Sequence, residues 1–153
     1  MRALGVDDLE ALHALELRAQ PLPWSDDQLL LELVNDDARV LGVFALGGAE
    51  RAEALVGYVA LRKMVDELWV LNLAVDPAHR RAGHARALLE SALQHGRAQL
   101  MASFWLEVRE GNSGARALYL AMGLEEKATR KTYYPPLPPA TEREAAVLMS
   151  RLL

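Results

Sequence analysis

A loop between a predicted strand and a predicted helix carries residues suited to holding an anion. The strand ends at Val75, and two arginines, Arg80 and Arg81, precede Gly83, which opens the helix. Backbone N–H groups at a helix N-terminus have no intrahelical partner and bind phosphate oxygens. Gly83 lets the backbone approach a ligand closely, and Arg86 adds positive charge. The pattern alone equally fits a solvated basic turn, because short glycine motifs often match by chance.

A carboxylate and a phenol further along the chain could move protons. Glu107 lies inside the predicted strand Phe104–Val108, where alternation places it on one face with Trp105. A carboxylate among apolar neighbours costs free energy unless it has a partner or a role, and a salt-bridged surface position is the alternative. Tyr119 lies in a short predicted helix, where a tyrosine more often belongs to the core than to a catalytic site. From the pattern, both roles stay open for both residues.

Composition excludes several classes of protein. The chain has 153 residues, which predicts one domain spanning 1–153, and a net charge of −4 gives no basic excess for binding nucleic acid. It has no cysteine, which excludes disulfides, cysteine-ligated metals and an acyl-cysteine intermediate. The four histidines show no ligand spacing, so no metal is expected. Without a membrane-length apolar run or a signal peptide, the sequence predicts a cytoplasmic protein with no membrane partner.

The elements that must position these residues alternate between helices and strands. Capping boxes at Asp7–Glu10 and Ser25–Gln28 predict the starts of two helices, and prolines at 21 and 23 separate them. A hairpin connection is predicted at residues 47–51. Because strands joined through helices can be parallel while hairpins are antiparallel, the order predicts an α/β fold with a mixed sheet. The predicted order is a short strand at residues 2–4, two helices, strands Val40–Leu46, Leu55–Arg62 and Glu67–Val75, a helix from Gly83 to about Arg97, strand Phe104–Val108, a helix capped by Asn112 or Ser113 and ending at Gly123, and strands Glu125–Tyr134 and Ala145–Leu152.

Two motifs resemble those of the GNAT superfamily of N-acetyltransferases. The first is Arg80-x-x-Gly83-x-Ala85, which follows a strand ending Leu-Ala-Val-Asp-Pro. The second comprises Trp105–Glu110, Asn112 and Ala115–Tyr119. Two further segments, Pro23-Trp24-Ser25 and Tyr133-Tyr134-Pro135, are similar to those of the bacterial ribosomal-protein-alanine N-acetyltransferases within that superfamily. The resemblance covers almost the whole chain, with small departures at His84, Ala85, Gly111 and Leu124.

The resemblance implies a GNAT-like mixed central sheet flanked by about four helices, and acetyl-coenzyme A (acetyl-CoA) as the donor. It implies that the pyrophosphate lies on the N–H groups of residues 81–86. The pantetheine arm is expected to pair with the main chain of residues 73–75, where the sheet splays open. The coenzyme-binding residues implied in this way are Leu73, Ala74, Val75, Arg80, Arg81, Ala82, Gly83, His84, Ala85, Arg86 and Asn112. For Asn112, a helix cap alone is the competing role.

The same resemblance implies roles for the two candidate proton carriers. Glu107 is the expected general base, and Tyr119 is expected to protonate or hydrogen-bond the leaving thiolate. Trp24, Tyr133 and Tyr134 are candidates for acceptor binding, with loop anchoring as the alternative. The expected function is acetylation of a protein N-terminus, an alanine of a ribosomal protein. The alternatives are a small-molecule amine acetyltransferase and a non-catalytic acyl-CoA-binding module.

Overall fold

The computed structural model describes residues 1–46 and 53–153, and the hairpin connection predicted at 47–51 lies outside the described residues. Strands alternate with helices in the predicted order, and short 3-10 turns at Val6–Asp8 and Pro77–His79 precede two of the helices. The strands are β1 (Arg2–Ala3), β2 (Ala38–Leu46), β3 (Glu53–Met64), β4 (Glu67–Val75), β5 (Ser103–Arg109), β6 (Glu125–Tyr134) and β7 (Glu144–Leu152), and the helices are α1 (Leu9–Ala19), α2 (Asp26–Val34), α3 (His84–Ala98) and α4 (Ser113–Ala121).

The strands form one sheet in the order β1-β2-β3-β4-β5-β7-β6. Every neighbouring pair is antiparallel except β4 and β5, which are parallel. A parallel pair needs a crossover connection, and α3 supplies it. The predicted mixed α/β sheet with four helices is therefore confirmed.

The parallel pair separates after only four residue pairs. β4 and β5 are paired from Glu67 with Ser103 to Val70 with Leu106, and both strands then continue without pairing to each other. On the other side of β4, a bulge places Asn72 opposite Ala60 and Val70 opposite Leu61, so that Leu71 is the extra residue. A bulge bends its strand and increases the local twist. The result is a slot through the sheet between the second halves of β4 and β5.

Helices cover both faces of the sheet. Alternate residues of β3 accordingly belong to two different apolar clusters, one on each face. Val59 and Leu61 belong to the cluster that contains the buried face of α3. Tyr58 and Ala60 belong to the cluster formed with α1 and α2. In β5, Phe104, Leu106 and Val108 are buried in the α3 cluster, which leaves Trp105 and Glu107 on the α1–α2 face.

The second predicted capping box is confirmed and the first is wrong. The Ser25 hydroxyl accepts from the Gln28 N–H at 3.3 Å, and the Gln28 side chain accepts from the Ser25 N–H at 2.9 Å. At the first helix, Asp8 rather than Asp7 accepts a bond, from the Gly5 N–H at 2.9 Å, within the 3-10 turn that precedes α1. Arg2 also holds the Asp8 carboxylate, at 2.6 Å. This contact comes from β1, so the local pattern around Asp7 could not reveal it.

Two absences apply to residues 1–46 and 53–153. None of the helices there is long and apolar enough to cross a bilayer. The same residues contain no group of three His, Asp or Glu side chains arranged to hold a metal ion.

Candidate active site

The loop before α3 forms a cavity of about 330 Å³. Its turn at 77–79 is capped by Asp76, whose carboxylate accepts from the Ala78 N–H at 2.9 Å. Gly83 is the N-cap of α3, with a left-handed φ of +83°. We call this cavity the cradle. Of the predicted residues, those that line it are Val75, Arg80, Arg81, Gly83, His84, Ala85 and Arg86, whereas Ala82 is exposed and does not line it.

The arginines of the cradle are held differently. The Arg80 side chain donates to the carbonyl oxygens of Val75, at 3.2 Å, and Ala19, at 3.0 Å. It therefore ties the loop to the ends of β4 and α1. Arg81 and Arg86 are exposed, and within residues 1–46 and 53–153 the one ion pair of Arg86 is a long contact of 3.9 Å with Glu90, one helical turn away. These two guanidinium groups are the ones best placed to meet a solvent-borne anion.

Replacing Gly83 with valine is expected to weaken acetyl-CoA binding about 10- to 100-fold. A side chain at this left-handed φ is strained by about 1–3 kcal/mol, which the loop relieves by moving the N–H groups of the cradle. A Cβ at Gly83 meets no other atom within 4 Å, so we expect the fold to survive. Calorimetry measures the affinity, and thermal unfolding measures the stability. The matched control is Gly5→Val, because a Cβ at Gly5 also meets nothing within 4 Å. If a folded Gly83→Val protein binds acetyl-CoA with unchanged affinity, the assignment of the cradle as the pyrophosphate site is contradicted.

A second cavity, of about 370 Å³, occupies the slot between β4 and β5. We call it the slot cavity. Leu73 lines it and Val75 lines the cradle, whereas the side chain of Ala74 is buried in the α1–α2 cluster. The predicted pantetheine stretch therefore runs from one cavity to the other. Asn112 lines the slot cavity as well, and its side-chain oxygen caps α4 by accepting from the Ala115 N–H at 3.2 Å.

Glu107 and Tyr119 reach the slot cavity from opposite faces of the sheet. Glu107 comes from the α1–α2 face, and its side chain is 17% exposed. Tyr119 comes from α4, within the α3 cluster, and is 7% exposed. Burial raises the pKa of Tyr119 to about 12, so its hydroxyl keeps its proton at neutral pH. A carboxylate and a protonated phenol thus flank the same space.

Glu107 also lines a groove on the α1–α2 face, which we call the outer groove. Its aromatic walls are Trp24, Trp69, Tyr133 and Tyr134, and Arg130 lies among them. The Arg130 guanidinium contacts the Glu107 carboxylate at 2.6 Å. Since Arg130 is half-exposed, this ion pair is accessible to a competing cation. The three residues predicted for acceptor binding, Trp24, Tyr133 and Tyr134, are therefore brought together beside Glu107.

Tyr134, like Glu107, lines both the slot cavity and the outer groove. Its ring meets Tyr133 edge-on at 5.1 Å, and the guanidinium of Arg109 lies 4.6 Å from its centroid. Burial, followed by the negative charge of Glu107, raises the pKa of Tyr134 to about 12. Arg109 is itself held by Glu144 at 3.1 Å, and this contact fixes the wall of the slot.

Sequence reasoning missed several residues that line these cavities. Trp69 stacks on Trp105 at 5.5 Å, which follows from the parallel pairing of β4 and β5 and has no local signal. Asn72 and Gln20 line the slot cavity and are joined by a hydrogen bond of 2.9 Å. Arg130 belongs to β6, where nearly every residue is exposed, so no pattern distinguishes it from its neighbours.

A slot between splayed parallel strands, with an N–H cradle at its end, is the arrangement expected for a GNAT acetyltransferase. The chain belongs to the GNAT acetyltransferase family, whose model matches residues 9–124, and it uses acetyl-CoA as the acetyl donor. This membership favours an enzyme over a non-catalytic binding module.

Particular relatives are similar over nearly the whole chain. The [ribosomal protein bS18]-alanine N-acetyltransferase of Escherichia coli strain K12 is 34% identical over 148 residues, which cover 97% of this chain and 93% of the relative. The protein of the same name from Haemophilus ducreyi is 33% identical over 146 residues, covering 95% and 94%. The crystal structure of the Escherichia coli ribosomal-protein-S18-alanine N-acetyltransferase matches with a TM-score of 0.87 at 31% identity, covering 98% of this chain and 90% of that one.

Proposed function

We propose that the protein transfers the acetyl group of acetyl-CoA to the α-amine of a polypeptide that begins with alanine, and that this polypeptide is a ribosomal protein. The class of acceptor is taken from the similar enzymes named above. The observation that carries the proposal is the position of Glu107, which lines both the slot cavity and the outer groove. A base there can serve a donor on one side and an acceptor on the other. Ribosomal proteins are made in the cytoplasm, so we propose that the enzyme acts there.

The donor is proposed to bind along the cradle and the slot. The N–H groups of residues 81–86 and the exposed guanidinium groups of Arg81 and Arg86 hold the pyrophosphate. The pantetheine arm takes the place of a strand beside residues 73–75, where β4 has lost its pairing with β5. Asn112 adds a polar contact from the start of α4. This arrangement puts the thioester in the slot cavity, between Glu107 and Tyr119.

Glu107 is proposed to remove a proton from the acceptor amine, directly or through water. An ammonium group has no lone pair and cannot attack a thioester, so a base is required. The ammonium of the incoming N-terminus replaces the Arg130 guanidinium at the carboxylate. The free amine then attacks the carbonyl carbon directly, in keeping with the absence of cysteine from the chain. A main-chain N–H near Val75 stabilises the oxyanion of the tetrahedral intermediate.

Tyr119 is proposed to stabilise the departing thiolate. Burial raises the pKa of Tyr119 to about 12, so the phenol is protonated when the C–S bond breaks. Its O–H donates a hydrogen bond that strengthens as negative charge develops on the sulfur, and it is placed to pass its proton to the thiolate.

The outer groove is proposed to bind the first residues of the acceptor between Trp24, Tyr133 and Tyr134. The choice of amine follows from acidity as well as from shape. At pH 7 an α-amine with a pKa near 8 is about 10% neutral, whereas a lysine with a pKa near 10.4 is only about 0.04% neutral. The free-energy cost of deprotonation by one carboxylate base is therefore far smaller for an N-terminus than for a lysine side chain.

A panel of amines tests the proposed acceptor. We expect peptides with a free N-terminal alanine to be acetylated at the α-amine, and lysines in the same peptides to react at least about 100-fold more slowly at pH 7. The readout is the intact mass, with fragmentation to locate the acetyl group. Peptides with a blocked N-terminus and free lysines are the control, and polyamines test the small-molecule alternative. Faster reaction of blocked, lysine-bearing peptides or of polyamines contradicts the proposal.

A further inference from the structure

A buried carboxylate on α1 takes no part in the chemistry proposed above. The side chain of Glu16 is fully buried, with 0% exposure. Its neighbours on the buried face of the helix, Leu12 and Leu15, are apolar. None of the ion pairs in the described parts of the chain includes Glu16. Burying a carboxylate costs several kcal/mol of folding free energy. Each polar group left without a hydrogen bond costs a further ~1–3 kcal/mol, so the partners of Glu16 must be numerous and well placed.

Three donors from three different segments meet the Glu16 carboxylate. The Tyr58 hydroxyl, on β3, donates to one oxygen at 2.7 Å. The side-chain amide of Asn72, on β4, and the main-chain N–H of Trp24 both donate to the other oxygen, at 3.0 Å each. Asn72 also donates to the Tyr58 oxygen at 2.7 Å. Only an acceptor with two oxygens satisfies these donors together, and a carboxylate is the side-chain group that supplies it.

Two of the three donors, Trp24 and Asn72, lie at the walls of the reaction space, and Tyr58 is buried behind them in the α1–α2 cluster. Trp24 lines both the slot cavity and the outer groove, and its N–H is the main-chain group that Glu16 holds. Asn72 follows the bulge at which β4 leaves β5. The network continues to Gln20, whose side chain donates to the oxygen of Asn72 at 2.9 Å and to the carbonyl of Leu73 at 3.2 Å. One carboxylate therefore connects the loop after α1 to the β4 side of the slot.

We infer that Glu16 is a positioning residue for the acceptor: it fixes the main chain at Trp24 and thereby sets the wall of the outer groove. The inference rests on the proposed function, because it takes the outer groove as the acceptor site. Glu16 touches neither substrate and acts through Trp24. Glu16 bonds directly to Trp24, whereas it reaches the pantetheine stretch of β4 indirectly, through Asn72 and Gln20. We therefore expect its loss to act mainly on acceptor binding and less on acetyl-CoA binding.

The test begins with Glu16→Gln. The amide has one oxygen and brings two N–H groups to a site already filled with donors, so at least one contact is lost while the shape is kept. We expect the KM for the acceptor to rise about tenfold, as for loss of a hydrogen bond to a charged group. The kcat at saturating acceptor and the Kd of acetyl-CoA are expected to stay within about twofold of wild type. Tyr58→Phe, which removes one of the three donors, is expected to raise the KM by a smaller factor.

A double-mutant cycle distinguishes positioning from general loosening of the fold. If Glu16 acts through Trp24, adding Glu16→Gln to a Trp24→Ala protein raises the KM for the acceptor little further. If the two residues act independently, the rise in KM of the double variant equals the product of the rises in the two single variants. The acceptor used in these assays is the amine that reacts fastest in the panel described above. The test of Glu16 can therefore be carried out even if the best acceptor is not a peptide that begins with alanine. Multiplying effects, an unchanged KM in Glu16→Gln, or a rise in the Kd of acetyl-CoA equal to the rise in KM would each overturn the inference.

Discussion

The Tyr119→Phe variant is expected to turn over about 100- to 1,000-fold more slowly than the wild type, the usual scale for losing a general acid or its equivalent hydrogen bond. Phenylalanine keeps the ring, and with it the packing of the α3 cluster to which Tyr119 belongs. The change removes only the hydroxyl, which is proposed to meet the leaving sulfur. Since the proposed interaction forms as the C–S bond breaks, the loss should fall on kcat and leave acetyl-CoA affinity unchanged.

The pH dependence of this loss provides a second check. The raised pKa of about 12 means that the Tyr119 hydroxyl stays protonated throughout an assay between pH 6 and 9. The ratio of wild-type to mutant kcat should therefore be constant over that interval. Steady-state kinetics measures the ratio, and calorimetry measures the affinity. Wild-type turnover in the mutant would leave Tyr119 with a packing role alone.

The Glu107→Gln variant is expected to lose most activity near neutrality, by about 100-fold or more, and to recover part of it as the pH rises toward 9. An α-amine with a pKa near 8 is about 90% neutral at pH 9, so the acceptor then arrives without a proton to remove. The measurement is kcat/KM for an alanine-starting peptide as a function of pH. The deficit relative to wild type should shrink along the series.

The control for this variant is Glu126→Gln. Glu126 is also a carboxylate held by an arginine at 2.6 Å, that of Arg116, but it lines neither the slot cavity nor the outer groove. We expect it to behave as wild type at every pH. A Glu107→Gln deficit that stays constant with pH contradicts the role of Glu107 as base and leaves the choice of amine untouched.

Local features of the fold could be predicted because they depend on residues a few positions apart. The capping box of Ser25 and Gln28 and the left-handed Gly123, with φ +80°, are of this kind. The capping box predicted at Asp7 failed because a residue of β1, Arg2, contributes to holding Asp8 instead. Local patterns define which residues can cap a helix, but a partner from another strand decides which one does.

The candidate site could be predicted only in part. The glycine loop and the alternation around Glu107 pointed to particular residues, and the family resemblance supplied their roles. The contact between Arg130 and Glu107 depends on β6 lying near β5 across β7, which no local pattern encodes. No local pattern distinguishes Glu16 from other polar residues of α1, because its three donors come from other segments, up to 56 positions away. Register and long-range hydrogen bonds are what the sequence, taken alone, did not reveal.

The short pairing of β4 with β5 is expected to affect the lifetime of the enzyme as well as its binding of acetyl-CoA. Four residue pairs are all the strand pairing that joins β1–β4 to the β5–β7–β6 half of the described sheet. Because so few hydrogen-bonded pairs join the two halves, we expect the sheet to open there in local unfolding. Proteases cleave the locally unfolded form. A coenzyme bound in the slot as proposed would bridge the two halves and, at 100 times its Kd, would contribute about 2.7 kcal/mol to stability. We therefore expect degradation in the cell to slow when acetyl-CoA is plentiful, so that the amount of enzyme follows the supply of its own donor; equal rates of limited proteolysis with and without acetyl-CoA would contradict this.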